Sequence, residues 1–133
     1  MRQELGARKM RKRVLDIGNC GPDHASLKRF FQQNFAAELL QADALRDARE
    51  ILSREEVDLI VVNRKLDSDY SDGLDVIKGL QAEPQFASIP MMLITNYPEH
   101  QKAAMEAGAL EGFGKLQLAD KTVIERVGTA LKG

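Results

Sequence analysis

Short apolar runs alternate along this chain with longer segments in which apolar residues recur at helical spacing. The runs show little polar alternation, which predicts strands buried on both faces and therefore a parallel sheet. The predicted strands cover residues 14–17, 37–40, 58–63, 90–95 and 110–113. Pro90 starts its run, where a missing backbone donor does little harm to a sheet.

The segments between these runs predict amphipathic helices that cover the sheet. Asp23 is the expected N-cap of the first helix, and Gly108 is the expected residue just beyond the end of the fourth. Alternating strands and helices with short connections predict an α/β fold, with a doubly wound five-stranded parallel sheet in a three-layer αβα sandwich. The helical residues expected to face inward are Leu27, Phe30, Phe31, Phe35, Ala44, Leu45, Ala48, Ile51, Leu52, Leu74, Ile77, Leu80, Val123, Ile124, Val127 and Leu131.

Length and composition fit one globular domain of ordinary character. The chain has 133 residues, of which 44% are hydrophobic and 29% charged. Its apolar runs fall well short of the roughly 20 residues that span a bilayer, so no membrane association is expected. The single Cys20 cannot form an internal disulfide, which favours a reducing cytoplasm. We expect a cytoplasmic protein with one domain over residues 13–133.

Residues 1–12 form a basic N-terminal extension in this prediction. The first 13 residues carry six basic side chains against Glu4, a net charge of +5, whereas the remainder of the chain is at −6. A solvated leader is the favoured interpretation. The alternative is an arm for an acidic partner or nucleic acid, although no aromatic side chain accompanies the charges for base stacking.

Candidate chemistry lies where strands end, because open α/β folds place their sites at the carboxyl ends of strands. Asn63 closes the run that Asp58 opens, and Thr95 closes the next one. A glycine-rich turn over residues 18–22 follows the first strand, and Lys115 comes just after the last.

These features, in their order and spacing, resemble the receiver domain of two-component response regulators over about residues 12–132. The strand 58–62 followed by a polar residue is similar to the strand that carries the family's phosphoacceptor. The resemblance also rests on Asp72 and Gly73 before the third helix, on the strand 90–95 that ends in a threonine, and on residues 108–115. It implies a flavodoxin-like fold with strand order 2-1-3-4-5.

The resemblance assigns roles to single positions, and several of these positions have lost the expected residue. Asn63 stands at the phosphoacceptor position, where the family has aspartate. Gly18 and Asn19 stand where the family has its paired metal-binding acids, and Leu116 replaces the proline that follows the lysine. The family's switch threonine, its switch aromatic and its lysine correspond to Thr95, Phe113 and Lys115.

An asparagine amide has no anionic oxygen with which to attack phosphorus or to hold a hard cation. Phosphorylation of residue 63 is therefore not expected, and neither are Mg²⁺, another metal or cofactor, or an enzymatic activity. We expect a pseudo-receiver that acts through protein contacts. Hydrogen bonds among Asn63, Thr95 and Lys115 are expected to fill the crevice.

Two other functions stay open on the sequence. A displaced acid such as Asp67 could accept a phosphoryl group in a genuine response regulator, although Asp67, Asp69 and Asp72 are more typical of turn and capping residues. The turn 18–22 could instead bind a small anion or nucleotide, although it matches neither glycine-rich phosphate-binding pattern.

The resemblance also implies an interaction surface. The fourth helix, fifth strand and fifth helix form the family's usual contact face for a protein partner or a homodimer. In this chain that face would include Ala103, Ala107, Glu111 and parts of 120–131. Two further residues are harder to interpret: His100 is expected to be exposed, and Asp16, in mid-strand, must have a hydrogen-bond or basic partner if it is buried.

Overall fold

The computed structural model describes residues 11–132 of the chain, so most of the basic extension lies outside the described residues. Five strands and five α-helices alternate along it. The strands are β1 Arg13–Ile17, β2 Glu38–Ala42, β3 Leu59–Asn63, β4 Met91–Ile94 and β5 Leu110–Phe113. The α-helices are α1 Gly21–Phe35, α2 Leu45–Arg54, α3 Gly73–Gln81, α4 Pro98–Glu106 and α5 Lys121–Lys132, and a 3₁₀ turn covers Lys115–Gln117.

The strands form one parallel sheet in the order β2-β1-β3-β4-β5, which confirms the predicted flavodoxin-like topology. Register brings the carboxyl ends of the central strands together: Ile17 pairs with Val62, and Asn63 pairs with Ile94. None of the helices within residues 11–132 is long and apolar enough to cross a membrane.

Two apolar layers cover the two faces of the sheet, as continuous apolar strands require. On one face, Leu15, Ile60 and Leu93 pack with residues of α2, α3 and α4. On the other, Val14, Val61 and Phe113 pack with α1 and α5. The inward helical residues named from the sequence are buried or partly buried in these two layers, with Leu27, Phe30 and Phe31 at the centre of α1.

The first helix begins earlier than the sequence predicted. Cys20 is its N-cap residue, so the expected N-cap, Asp23, is the third residue of the helix and lies with Pro22 in its first turn. Proline suits this place because its backbone nitrogen has no hydrogen to leave unpaired. The shift turns the Asp23 carboxylate from a cap into a side chain available to the neighbouring strand ends.

Candidate functional site

Lys115 makes its ion pair with α1 rather than with the end of β3. Its Nζ donates to Oδ2 of Asp23 at 2.6 Å, and both side chains are about one-third exposed. The hydrogen bond from Lys115 lowers the pKa of Asp23, with a smaller contribution from the Cys20 side chain. In the family that the chain resembles, the positive charge of this lysine lies beside an aspartate at the end of the third strand. In this chain the carboxylate partner of Lys115 is Asp23 on α1.

A second acid–base pair lies below this one. Asp16 is fully buried in β1, and its two carboxylate oxygens contact Asn19 Nδ2 at 2.5 Å and His24 Nδ1 at 2.7 Å. Burial raises the pKa of Asp16, and the contacts with Asn19 and His24 only partly oppose that effect. Of the explanations left open for Asp16, the structure supports pairing with a basic residue.

The predicted hydrogen-bond network of Asn63, Thr95 and Lys115 does not form among the described residues. Asn63 Nδ2 donates to the carbonyl oxygen of Lys65 at 2.6 Å, which folds the amide back over its own loop. The Thr95 hydroxyl accepts from the backbone nitrogen of Tyr97 at 3.3 Å. Asn63 and Thr95 thus have local partners, while Lys115 pairs with Asp23 of α1.

Gly18 stands where the family has an acid, and the backbone conformation at this position also favours glycine. Its φ of +83° lies in the left-handed region, and a Cβ there would come within 2.3 Å of Leu66 Cδ2. The Gly18 carbonyl also accepts the backbone N–H of Asp67 at 2.8 Å. The loop after β3 is thus packed against the position where the family holds a metal-binding carboxylate.

The loop acids after Asn63 serve mainly as turn and capping residues. Asp72 is the N-cap of α3 and accepts from the backbone nitrogen of Leu74 at 3.0 Å. Asp69 accepts from the nitrogen and the hydroxyl of Ser71 at 2.9 and 2.6 Å. The side chain of Asp67 is exposed, while its backbone is held by Gly18.

The Phe113 side chain lies in the core. It is 1% exposed and its ring centroid is 6.1 Å from that of Phe30, on the face of the sheet covered by α1 and α5. The Phe113 carbonyl oxygen accepts from the backbone nitrogen of Thr95 at 3.0 Å, and the preceding residue, Gly112, donates its backbone N–H to Gln101 of α4. The assignment of Phe113 as a switch aromatic stays a prediction.

A glutamine that the sequence did not single out links α4 to the sheet. Gln101 accepts from Gly112 N at 2.8 Å and donates to Leu93 O at 2.9 Å and Thr95 O at 3.3 Å. These bonds span an irregularity in the pairing of β4 with β5, between Met92 and Ile94. The Gln101 amide thus takes the place of ladder hydrogen bonds that the irregularity interrupts.

His100 is half-buried, so its predicted exposure is wrong. Arg64 Nε donates to His100 Nδ1 at 3.0 Å, and the Thr95 hydroxyl lies 3.4 Å from the same nitrogen. The Tyr97 ring packs edge-on against the imidazole, with centroids 5.4 Å apart. Arg64, just after β3, and Tyr97 cover part of the imidazole, while Pro98 and Glu99 beside it in the first turn of α4 are exposed.

The donor set at the strand ends does not fit Mg²⁺, the metal that the fold implies. Gly18 has no side chain, Asn63 turns its amide to a loop carbonyl, and both oxygens of Asp16 are already engaged. Asn19 contributes one buried amide oxygen with no partner among the described residues. A magnesium ion needs several hard oxygens, with carboxylates among them, and this arrangement does not supply them.

The fold has many solved counterparts, although the sequence matches no protein-family model and no curated protein. The signal receiver domain of a DNA-binding response regulator from Colwellia psychrerythraea 34H superimposes with a TM-score of 0.76 at 18% identity, covering 92% of this chain and 99% of that one.

Two further counterparts have comparable coverage. The signal receiver domain of a signal transduction histidine kinase from Syntrophus aciditrophicus gives a TM-score of 0.69 at 22% identity, covering 92% and 91% of the two chains. The chemotaxis response regulator CheY4 of Vibrio cholerae gives 0.66 at 16% identity, covering 92% and 97%. These similarities confirm that the chain has the fold of response-regulator receiver domains.

Proposed function

We propose that this chain is a receiver-like signalling module of a two-component or phosphorelay system, that it is not phosphorylated at residue 63, and that it acts through protein contacts. The observation that carries the proposal is the pairing of Lys115 with Asp23 on α1. A lysine already neutralised by a neighbouring helix leaves no need for an acid at the end of β3. The role is non-enzymatic and requires no metal or other cofactor.

The proposed contact surface is the α4, β5 and α5 face. Ala103 on α4 and Ala107 at its C-cap are half-buried, and Met105 between them is 47% exposed. On β5, Leu110 is 44% exposed, and Glu111 pairs with Arg126 of α5 at 3.6 Å. Exposed apolar side chains beside opposite charges are typical of a surface that another protein covers.

The contact proposal takes either a protein partner or a second copy of the chain. Sedimentation velocity over a range of protein concentrations tests the second copy directly. Self-association that Met105→Asp abolishes, while the exposed Glu50→Gln on α2 leaves it intact, supports a homodimer through this face. A monomer at every concentration would exclude the homodimer and leave a different protein as the proposed partner.

A phosphoryl analogue tests the main part of the proposal. Beryllofluoride with Mg²⁺ forms a stable complex only where a carboxylate and a metal site coexist. We expect the amide spectrum of the protein to stay unchanged when both are added. Saturable shifts that require Mg²⁺ and centre on the ends of β1 and β3 would disprove the proposal.

The alternative function, a phosphorylated regulator, would use Asp67 as the phosphoacceptor. Asp69 and Asp72 use their carboxylates in local hydrogen bonds, whereas the exposed Asp67 has its backbone anchored beside Gly18 at the strand ends. If this chain accepts a phosphoryl group from a small-molecule donor, intact-mass analysis would show the gain in the wild-type protein and its loss in Asp67→Asn.

A further inference from the structure

We propose that Arg64, His100 and Thr95 form a binding site for a small oxyanion between the carboxyl ends of β3 and β4. The ligand class is phosphate-like or carboxylate, and the site is separate from the Lys115 position. The inference goes beyond the proposed contact function and does not depend on phosphorylation of the chain.

The backbone holds Arg64 in a fixed place. Its N–H donates to the carbonyl of Ile94 at 3.2 Å, and its own carbonyl accepts from Gly73 N at 2.7 Å. Gly73 allows this approach because a Cβ there would fall 2.0 Å from the carbonyl oxygen of Asn63. The backbone of Arg64 is therefore fixed at the carboxyl end of the central strand, as a preformed binding site requires.

The Arg64 guanidinium lies against the His100 ring and not against an acid. Its Nε is 3.0 Å from His100 Nδ1 and 3.3 Å from His100 Nε2. Within residues 11–132, no carboxylate oxygen lies within 4.0 Å of the Arg64 guanidinium. By contrast, Lys115 at the same edge has Asp23 at 2.6 Å.

The groups around Arg64 favour an anion. The Thr95 hydroxyl lies 3.4 Å from the same imidazole nitrogen. The helix α4 begins just beyond, at Pro98, and its amino end adds a partial positive charge. A planar guanidinium can hold two oxygens of one oxyanion at once, which gives both charge and geometry.

Nearby acids limit the positive potential without cancelling the site. Asp72 lines the small cavity that Arg64 and His100 share, but its Oδ1 accepts from Leu74 N. Glu99, in the first turn of α4, is exposed, as is Lys65 next to Arg64. Arg64 and Asp72 are both half-buried, and burial strengthens the electrostatic interactions of these two side chains relative to those of the exposed Glu99 and Lys65.

Inorganic phosphate, titrated at constant ionic strength against a chloride reference, tests the site by amide and arginine Nε–H NMR shifts. We expect saturable shifts at Arg64, Thr95 and His100. Arg64→Gln should weaken binding by roughly tenfold or more, as expected for loss of charge-assisted hydrogen bonds. Arg46→Gln, an exposed α2 control with the same charge change, should leave binding unchanged.

Further variants separate this site from its neighbours. Lys115→Gln should leave binding unchanged, and Arg64→Lys, which retains the charge without the fork, should bind with intermediate strength. Shifts that survive Arg64→Gln, that vanish in Lys115→Gln, or that centre on Cys20 and Gly21 would overturn the assignment, as would the absence of saturation.

The source of the oxyanion is resolved by repeating the titration with acetate. Saturation by phosphate at a much lower concentration than acetate identifies a free phosphate-type ligand. Binding of phosphate and acetate at comparable concentrations indicates that the site also accepts a carboxylate, such as that of an acidic side chain of another protein. Circular dichroism of each variant confirms that loss of binding is not loss of fold, and Arg64→Lys supplies the conservative replacement if Arg64→Gln unfolds.

Discussion

Lys115 Nζ lies 2.6 Å from Asp23 Oδ2, although 92 residues separate the two along the chain. This contact joins the end of β5 to the first turn of α1 and gives the lysine a carboxylate partner inside a crevice whose strand-end acids are absent. Asp16 and His24 form a second acid–base pair near the carboxyl ends of the strands, and each of the two pairs includes a residue of α1.

The pair of Lys115 and Asp23 should contribute modestly to stability. Because both side chains are about one-third exposed, solvent screening reduces the interaction to roughly 0.5 kcal/mol. A double-mutant cycle with Asp23→Asn and Lys115→Gln, read from urea unfolding, should recover a favourable coupling of that order. Glu50→Gln combined with Lys115→Gln is the control and should show no coupling; an equal value there would remove the special role of Asp23.

The pKa values of Asp23 and Asp16 should be shifted in opposite directions. Carbonyl-carbon NMR should place the midpoint of Asp23 below, and that of Asp16 above, the ordinary pKa of 3.8. The lowered pKa of Asp23 means that its stabilisation is present above pH 3.8 and is lost as pH falls through the folded-state value.

Asp16 has the reverse sign because its folded-state pKa is raised. Its folded form holds a proton more tightly than the unfolded chain, so its titration lowers stability as pH rises from 3.8 through the folded value. Unfolding free energies measured against Asp16→Asn across this window should show that loss in the wild type. Stability that instead rises relative to the variant would contradict the assignment.

Gly18 should resist replacement for steric reasons. Gly18→Ala combines a left-handed φ with a clash against Leu66, and we expect a loss of roughly 1–3 kcal/mol in the unfolding free energy. Gly21→Ala is the matched control, since a Cβ there meets nothing within 4 Å, and its effect should stay within about 0.5 kcal/mol. Equal effects in urea unfolding would show that the Gly18 turn is not constrained.

Gln101 should hold α4 against the sheet. Gln101→Ala removes hydrogen bonds to Gly112, Leu93 and Thr95 and leaves partly buried backbone groups unpaired, at a cost of about 1–3 kcal/mol. Hydrogen exchange at the Gly112 amide should accelerate more than at the amides of β1. The exposed Gln33→Ala should change neither rate, and unchanged Gly112 exchange in Gln101→Ala would argue against the link.

The fold could be predicted from the sequence because its signals are local and repeated. The runs that became β3 and β4 lack polar interruption, and the helical spacing of Leu27, Phe30 and Phe31 marks a buried face. Element ends were less accurate, as at Asp23, because Gly21 and Pro22 start α1 earlier than a capping pattern indicates.

The partners at the site could not be predicted in the same way. Lys115 reaches Asp23 only after α1 and the end of β5 are packed, and Arg64 reaches His100 across 36 residues. The role of Gln101 depends on an irregularity in strand pairing that leaves no trace in composition. Spacing shows which residue types are missing from the crevice, but only packing shows what replaces their interactions.

Restoring one acid should not restore a receiver. Asn63→Asp would supply a carboxylate, but Asp23 would still engage Lys115, and Gly18 and Asn19 would still offer no metal-binding carboxylate. We expect no gain in mass when this variant is treated with acetyl phosphate and Mg²⁺. A gain at residue 63 would show that the nucleophile alone was missing.

The intact mass of the wild-type protein after treatment with acetyl phosphate and Mg²⁺ tests the central claim most directly, with a phosphorylatable receiver as the positive control. We expect the mass to stay unchanged while the control gains one phosphoryl group. An acid-labile gain of one phosphoryl group in the wild type, lost on hydroxylamine treatment, would show an aspartyl phosphate and contradict the account.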